Sequence, residues 1–185
     1  DLSSSAFFII AALINKGSKI NLDNININPS RDGILKALKK MGAKINIKNQ
    51  RTVSGEIVAD LEVEYSNLVG CELDAEMAKY MIDEYPILSI AAAFARGTSI
   101  FRGLKELKVK ESNRLELIRL NLVNCGCNCE VINDDLIIKP SEEYFPKNNN
   151  IRTDFDHRIA MSFAVMGSKV GSLIIDDAES INTSF

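Results

Sequence analysis

Two hydrophobic rhythms take turns along this chain. Every position from 6 to 14 is apolar and many are small, which suits a helix packed at the centre of a fold, and Gly17 stands where its C-terminal cap would fall. Asp1 and Ser3 to Ser5 offer N-caps for it. Residues 19–22 then read as a short strand, NININPSRDG as a loop, and Ser30 or Asp32 as the start of a helix whose Ile34, Leu35, Leu38 and Met41 recur at helical spacing. Gly42 ends that helix, and AKINIKN alternates as a strand. The same order returns farther on. Pro86 opens an alanine-rich helix that ends at Gly97, and TSIFRG reads as a strand. ESNRLELIRLNLVNC reads as an amphipathic helix stopping near Gly126, and CNCEVINDDLIIKP as a hairpin turning at 133–135. A third, incomplete copy starts at HRIAMSFAVMG and continues through the strand SLIIDD. ADLEVEY, between the first two copies, alternates strictly as a strand, and SEEYFPKNNN is polar and reads as a loop.

Gly17 and Gly97 thus hold matching places in two copies of one unit. Units of this length are structural repeats rather than the short period of a solenoid. The chain opens on a helix cap and stops inside an unfinished copy, which reads as a fragment of a longer protein.

Composition narrows the functional classes. In 185 residues, 46% hydrophobic and 25% charged, there is enough apolar material for one large domain or two small ones. The net charge of -3, with no basic arm or stripe, argues against nucleic acid as the main partner. The longest apolar run covers only about half of the roughly 20 residues a membrane helix needs, and Asp1 stands where a signal peptide would carry cations. The expectation is a soluble cytoplasmic protein. Cys125, Cys127 and Cys129 alternate, so on a strand they would share a face. Three thiols can ligate zinc, but there is no second cysteine cluster and His157 is the only histidine, so small core residues are the favoured reading and no metal is expected.

Charge gathers in three short stretches: MIDEYP (81–86), KVKESNR (108–114) and DFDHR (154–158). Each lies at or just before a helix start, where exposed N–H groups and the helix dipole favour anions. Lys110 and Arg114 are four apart, the spacing of one helix face. Arg114 and Arg158, on separate helix starts, are of the type that clamps one carboxylate through charge-assisted hydrogen bonds. Taken singly, each cluster reads first as a solvated helix start. Asp83 and Asp156 read as caps, His157 as a structural histidine orienting the Arg158 turn, Arg31 as part of a helix start, and Asp176 and Asp177 as a strand end.

Taken in order, SSxAFF, NPSRxG, DExP, KESxR, DHRIAM and DDAE resemble the second half of the 5-enolpyruvylshikimate-3-phosphate synthase family over essentially the whole chain. KESNR followed by DHRIAM is the specific part. The resemblance implies an α+β enolpyruvyl transferase-like domain of repeated βαβαββ units with pseudo-threefold symmetry. Residues 1–185 would be one such domain, the C-terminal half of a two-domain enzyme with its third repeat incomplete. It implies transfer of the enolpyruvyl group of phosphoenolpyruvate to the 5-hydroxyl of shikimate 3-phosphate, with release of phosphate and no metal or organic cofactor. Arg114 and Arg158 would hold the phosphoenolpyruvate carboxylate. Glu111 would shuttle a proton at the methylene carbon. Asp83 would bind the shikimate hydroxyls as the candidate base, and Lys110 would contact the attacking hydroxyl.

The chain departs from the family pattern at Asn113, where KESDR is common, and at INTSF, where Thr183 stands at or near a lysine many relatives carry. The resemblance implies that most grips on the substrate phosphates belong to the family's other half, outside this sequence, so the fragment alone is expected to be inactive. Two alternatives share the fold: the enolpyruvyl transferase acting on UDP-N-acetylglucosamine, whose wording and catalytic cysteine differ, and a non-catalytic module.

Overall fold

The computed structural model describes residues 1–141 and 149–183, so the loop expected over SEEYFPKNNN lies mostly outside the described residues, as does the side chain of Thr183. The first repeat begins with α1 (Leu2–Ile14), which starts four residues earlier than its apolar run because Asp1 caps it, accepting from the Ser4 amide at 2.8 Å. Ser3 to Ser5, expected as caps, therefore lie inside the first turns. Gly17, with φ +85°, turns the chain out of the helix. Then follow β1 (Lys19–Asn26), α2 (Gly33–Lys40), β2 (Lys44–Val53) and β3 (Glu56–Glu64).

These strands form one sheet in the order β1-β3-β2, all antiparallel neighbours. Ala59, Leu61 and Val63 of the central strand point into the core, while Asp60, Glu62 and Glu64 line the outer face, as the period of two requires. All three strands outrun the sequence reading. β1 and β2 each carry a bulge, at Leu22/Ile25 and Lys48/Arg51, which lets pairing resume beyond the place where simple alternation stops.

The second repeat contains the whole βαβαββ unit. β4 (Glu72–Leu73) leads through a 3-10 turn at Ala75–Met77, the short α3 (Ala78–Met81) and another 3-10 turn at Ile82–Glu84 into α4 (Tyr85–Ala93). β5 (Ser99–Phe101), α5 (Arg114–Asn124), β6 (Asn128–Ile132) and β7 (Asp135–Lys139) follow. Their order, β4-β5-β7-β6, repeats the first sheet's arrangement, with β5 in the place of β1 and β7 central. β4 is the added strand, parallel to β5. The hairpin turns on Asn133, whose φ of 58° is the left-handed value asparagine tolerates. Of the third unit there is a parallel pair, β8 (Asn150–Ile151) and β9 (Ile174–Ile175), joined through α6 (His157–Val170).

α1, α4 and α6 pack on one another at the centre. Every residue of α4 is buried, and Ala91, Ala92 and Ala93 have no exposed surface. Small side chains let the three backbones approach, so enlarging Ala91 to leucine would overpack the centre at about 1–3 kcal/mol. The three alternating cysteines are buried and outside any disulfide. Burial pushes the thiols of Cys125 and Cys129 up to about 11 and about 12, so they serve as protonated core groups. Only Cys129 lies within a strand, since β6 begins at Asn128.

One local expectation fails where it matters for function. α5 starts at Arg114, capped by Asn113, whose side chain accepts from the Glu116 amide at 3.2 Å. Lys110 precedes the helix in extended backbone (φ -81°, ψ -155°), so it does not share a helix face with Arg114. The two converge instead on one oxygen of Asp83.

Candidate active site

The N-terminal turns of the three central helices meet at one end of the fold. Ser3 of α1 donates from its hydroxyl to Glu84, the residue that precedes α4. Arg158 of α6 reaches back to the carbonyl oxygen of Asp83 at 3.3 Å. Three positive helix ends therefore face the same region, and carboxylates and guanidiniums collect there.

Arg114 is the centre of the collection, and it has no exposed surface. Its Nε donates to Asp156 Oδ2 at 2.8 Å, its Nη1 to Asp83 Oδ1 at 2.8 Å, and its Nη2 to Glu111. Lys110 Nζ lies 3.4 Å from Asp83 Oδ1 and 2.7 Å from Glu106 Oε1. Asp83, Lys110, Glu111, Arg114 and Arg158 are thus brought together from three separate stretches of chain. What sequence reasoning did not anticipate is that the terminal fork of Arg114 already carries two carboxylates of its own chain.

Asp156 lies beneath this group with no exposed surface. Its Oδ1 caps α6, accepting from the amides of Arg158 at 3.0 Å and Ile159 at 3.4 Å, which is the cap role expected of it. Its Oδ2 accepts from Ser112 Oγ at 2.8 Å as well as from Arg114. A tight turn presents it: the Asp156 amide donates to the Thr153 carbonyl at 3.0 Å, with Asp154 and Phe155 between them at φ 50° and 62°.

Electrostatics divide the neighbouring carboxylates. Partial burial of Asp83 works to raise its pKa, but the cations Arg158, Lys110 and Arg114 together outweigh it and hold the carboxyl below the ordinary aspartate value. Glu84, one residue on, goes the other way. Burial raises its pKa and outweighs the Ser3 hydrogen bond and the charge of Arg158. The hydrogen bond to Glu106, helped by the charge of Asp83, raises Lys110 and keeps it cationic despite its partial burial. Burial and then the charge of Arg158 lower His157 against the pull of Asp156, so its imidazole is neutral at neutral pH. Beside these groups opens a cavity of ≈ 230 Å³ lined by Ser3, Arg31, Lys79, Asp83, Glu84 and Arg158. Among the described residues no three His, Cys, Asp or Glu side chains gather to hold a metal ion, and no helix is long and apolar enough to cross a membrane.

A polar wall built from three helix starts, with a buried guanidinium fork covered by two part-exposed carboxylates, suits a small anion and proton transfer beside it. Comparison with known proteins gives that geometry a family. The profile of EPSP synthase (3-phosphoshikimate 1-carboxyvinyltransferase) matches residues 1–185. The chain belongs to the EPSP synthase family. It is similar to the 3-phosphoshikimate 1-carboxyvinyltransferase of Paramagnetospirillum magneticum, at 48% identity over all of this chain and 42% of that protein. The protein of the same name from Syntrophomonas wolfei is 42% identical over all of this chain and 43% of its own length. Among solved structures, the EPSP synthase of Acinetobacter baumannii superposes with a TM-score of 0.94 at 36% identity, covering all of this chain and 43% of that one. The enolpyruvyl transferase NikO of Streptomyces tendae, at TM-score 0.71 and 14% identity over all of this chain and 40% of its own, shares the fold. The chain therefore spans a little over two fifths of the curated EPSP synthase relatives it matches.

Several members of the site were missed by sequence reasoning, Glu84, Ser112 and Ser3 among them. Glu84 and Ser112 stand inside quoted motifs beside the residues singled out, and Ser3 opens SSSAFF. Their signal was adjacency alone. The Ser3–Glu84 bond spans 81 positions, and local pattern carries no information about such a pair.

Proposed function

We propose that this chain forms the C-terminal half of an enzyme that transfers the enolpyruvyl group of phosphoenolpyruvate to the 5-hydroxyl of shikimate 3-phosphate, releasing phosphate. In this reading residues 1–185 are one domain with its third repeat incomplete, and an N-terminal half of the same protein completes a cytoplasmic enzyme. The observation that carries it is the convergence of Asp83, Lys110, Glu111, Arg114 and Arg158 in a member of the EPSP synthase family.

The reaction is an addition followed by an elimination. The methylene carbon of phosphoenolpyruvate gains a proton as the 5-hydroxyl attacks the neighbouring carbon and gives up its own. Loss of phosphate and of a methyl proton then restores the double bond. No electrons change hands, so acids, bases and charge stabilisation suffice. Arg114 and Arg158 hold the substrate carboxylate. Glu111, with half its side chain exposed beside Arg114, moves the proton at carbon. Asp83, kept ionised by its cations, accepts the proton of the hydroxyl, and Lys110 stabilises the oxygen as charge develops on it. For the substrate carboxylate to reach the Arg114 fork, it must take the place of Glu111, Asp83 or both. Binding thus releases at least one of these carboxylates for proton transfer.

The full-length protein given both substrates should release inorganic phosphate, and neither substrate alone should do so. Absence of phosphate release with both present would overturn the assignment.

A further inference from the structure

We infer that Asp156 is a positioning residue that sets both arginines of the site at once. The inference rests on the proposed enolpyruvyl transfer. One oxygen of Asp156 holds the backbone amide of Arg158, and the other holds the inner nitrogen of the Arg114 guanidinium. A single buried carboxylate therefore fixes where one arginine leaves its helix and which way the other points.

The three carboxylates around Arg114 are not equivalent. Those on its terminal nitrogens, Asp83 and Glu111, have side chains 40% and 53% exposed, whereas Asp156 has none of its surface exposed. A ligand arriving from solvent meets Asp83 and Glu111 first and reaches the terminal fork by displacing one or both. Asp156 stays, because its oxygens are also held by the start of α6 and by Ser112. With Nε anchored from below, the plane of the guanidinium keeps its direction while its outer partners change.

The support beneath Asp156 is itself braced. Thr153, which closes the tight turn, donates from both its amide and its hydroxyl to Asp176 Oδ1, at 3.0 and 2.6 Å. The turn holds Asp154 and Phe155 at left-handed φ, a value that a bulky residue such as phenylalanine seldom takes without a fixed position to serve. Asp176, which reads from sequence as the mere end of a strand, thereby supports the site through two intermediaries.

The test is Asp156→Asn in the full-length enzyme. Asparagine keeps an acceptor to cap α6 but loses the charge that holds Arg114 Nε. The KM for phosphoenolpyruvate should rise about tenfold or more in the folded protein, while that for shikimate 3-phosphate stays within about twofold; the thermal midpoint should fall, because a buried charge pair is broken, although Asp83 and Glu111 still pair the guanidinium. Ser112→Ala, which removes one hold on Asp156, should shift the phosphoenolpyruvate KM the same way by about two- to threefold. An unchanged phosphoenolpyruvate KM in Asp156→Asn, or equal losses for both substrates, overturns the role. If Asp156→Asn does not fold, Ser112→Ala decides by the same criterion. A wild-type protein without turnover sinks the functional reading instead. Calorimetric titration of phosphoenolpyruvate into wild type and Asp156→Asn then still reads Asp156, and equal affinities overturn it.

Discussion

Asp60 and Arg114 each stand at the centre of a charged cluster, one on the outer face of the β1-β3-β2 sheet and the other at the start of α5. Asp60 accepts from the Asn24 amide at 2.9 Å, from Asn49 Nδ2 at 2.9 Å and from Arg51 Nη2 at 3.2 Å. Those bonds pin the two bulges, where Asn24 and Asn49 take φ of 57° and 50°. Arg114 likewise has three partners, but it is buried and two of them are positioned to leave. The difference is water. At Asp60 solvent can replace any lost partner, so the cluster costs little to make or break. At Arg114 nothing replaces a lost partner except another charged group, which suits it to the binding role proposed for it as well as to support.

Arg114→Ala should produce the largest effect. It leaves Asp156 buried without its cation, a change that typically costs about 3–5 kcal/mol, so the urea midpoint of the full-length protein should fall steeply. What folds should bind phosphoenolpyruvate more weakly by a larger factor than shikimate 3-phosphate. A destabilisation under about 1 kcal/mol would place Arg114 with the exposed pairs and erase the contrast with Asp60.

Glu111→Gln separates the exchangeable partner from the anchored one. Turnover should drop by about two orders of magnitude or more, the usual contribution of a well-placed acid or base. Phosphoenolpyruvate affinity should hold or tighten, because a competitor for the Arg114 fork has lost its charge. Weaker binding in a calorimetric titration would show that Glu111 assists the ligand, and near-normal turnover would remove it from proton transfer.

The contrast between the clusters also marks how far sequence reading reaches. Helices α1, α2, α4 and α6 were legible because caps, glycines and apolar spacing are local signals, and the repeat was legible because Gly17 and Gly97 punctuate both copies alike. Helix α5 was begun too early because Lys110, Glu111 and Ser112 carry no local stop; their loop conformation comes from tertiary partners, such as the bond from Ser112 to Asp156 44 positions away. The two-residue β4 escaped notice because so short a strand has no period, and it exists through its pairing with β5. The residues gathered at the site were nameable from the ordered motifs. The burial of Arg114 and the double use of Asp156 were not, because both depend on how α5 and α6 come together.

Glu84 provides a pH test of the buried side. Its pKa is raised on folding, so the folded state binds that proton more tightly than the unfolded state does. The resulting stabilisation is complete below the ordinary glutamate value of 4.5 and is lost as pH rises through the folded value. Glu84→Gln cannot titrate, so its stability relative to wild type should improve as pH rises from about 4 to about 7. Denaturant midpoints at several pH values measure this, and a variant-minus-wild-type difference that stays flat or falls as pH rises would mean that Glu84 is not destabilised as an anion.

The smallest effect belongs to Asp60→Asn, and its pH dependence should have the opposite sense. Hydrogen bonds from Asn24, Asn49 and Arg51 hold the Asp60 carboxyl down at about 2, against an ordinary value of 3.8. The ionised group therefore favours the folded state above the ordinary value, and that contribution disappears as pH falls through about 2. Asparagine keeps an acceptor for the Asn24 amide and loses the charge facing Arg51. The midpoint should fall several-fold less than in Arg114→Ala, the deficit should shrink in high salt, and it should close on acidification. A deficit as large as that of Arg114→Ala and indifferent to salt would mean that the outer face of the sheet is shielded from solvent in the full-length protein, and that burial no longer separates the two clusters.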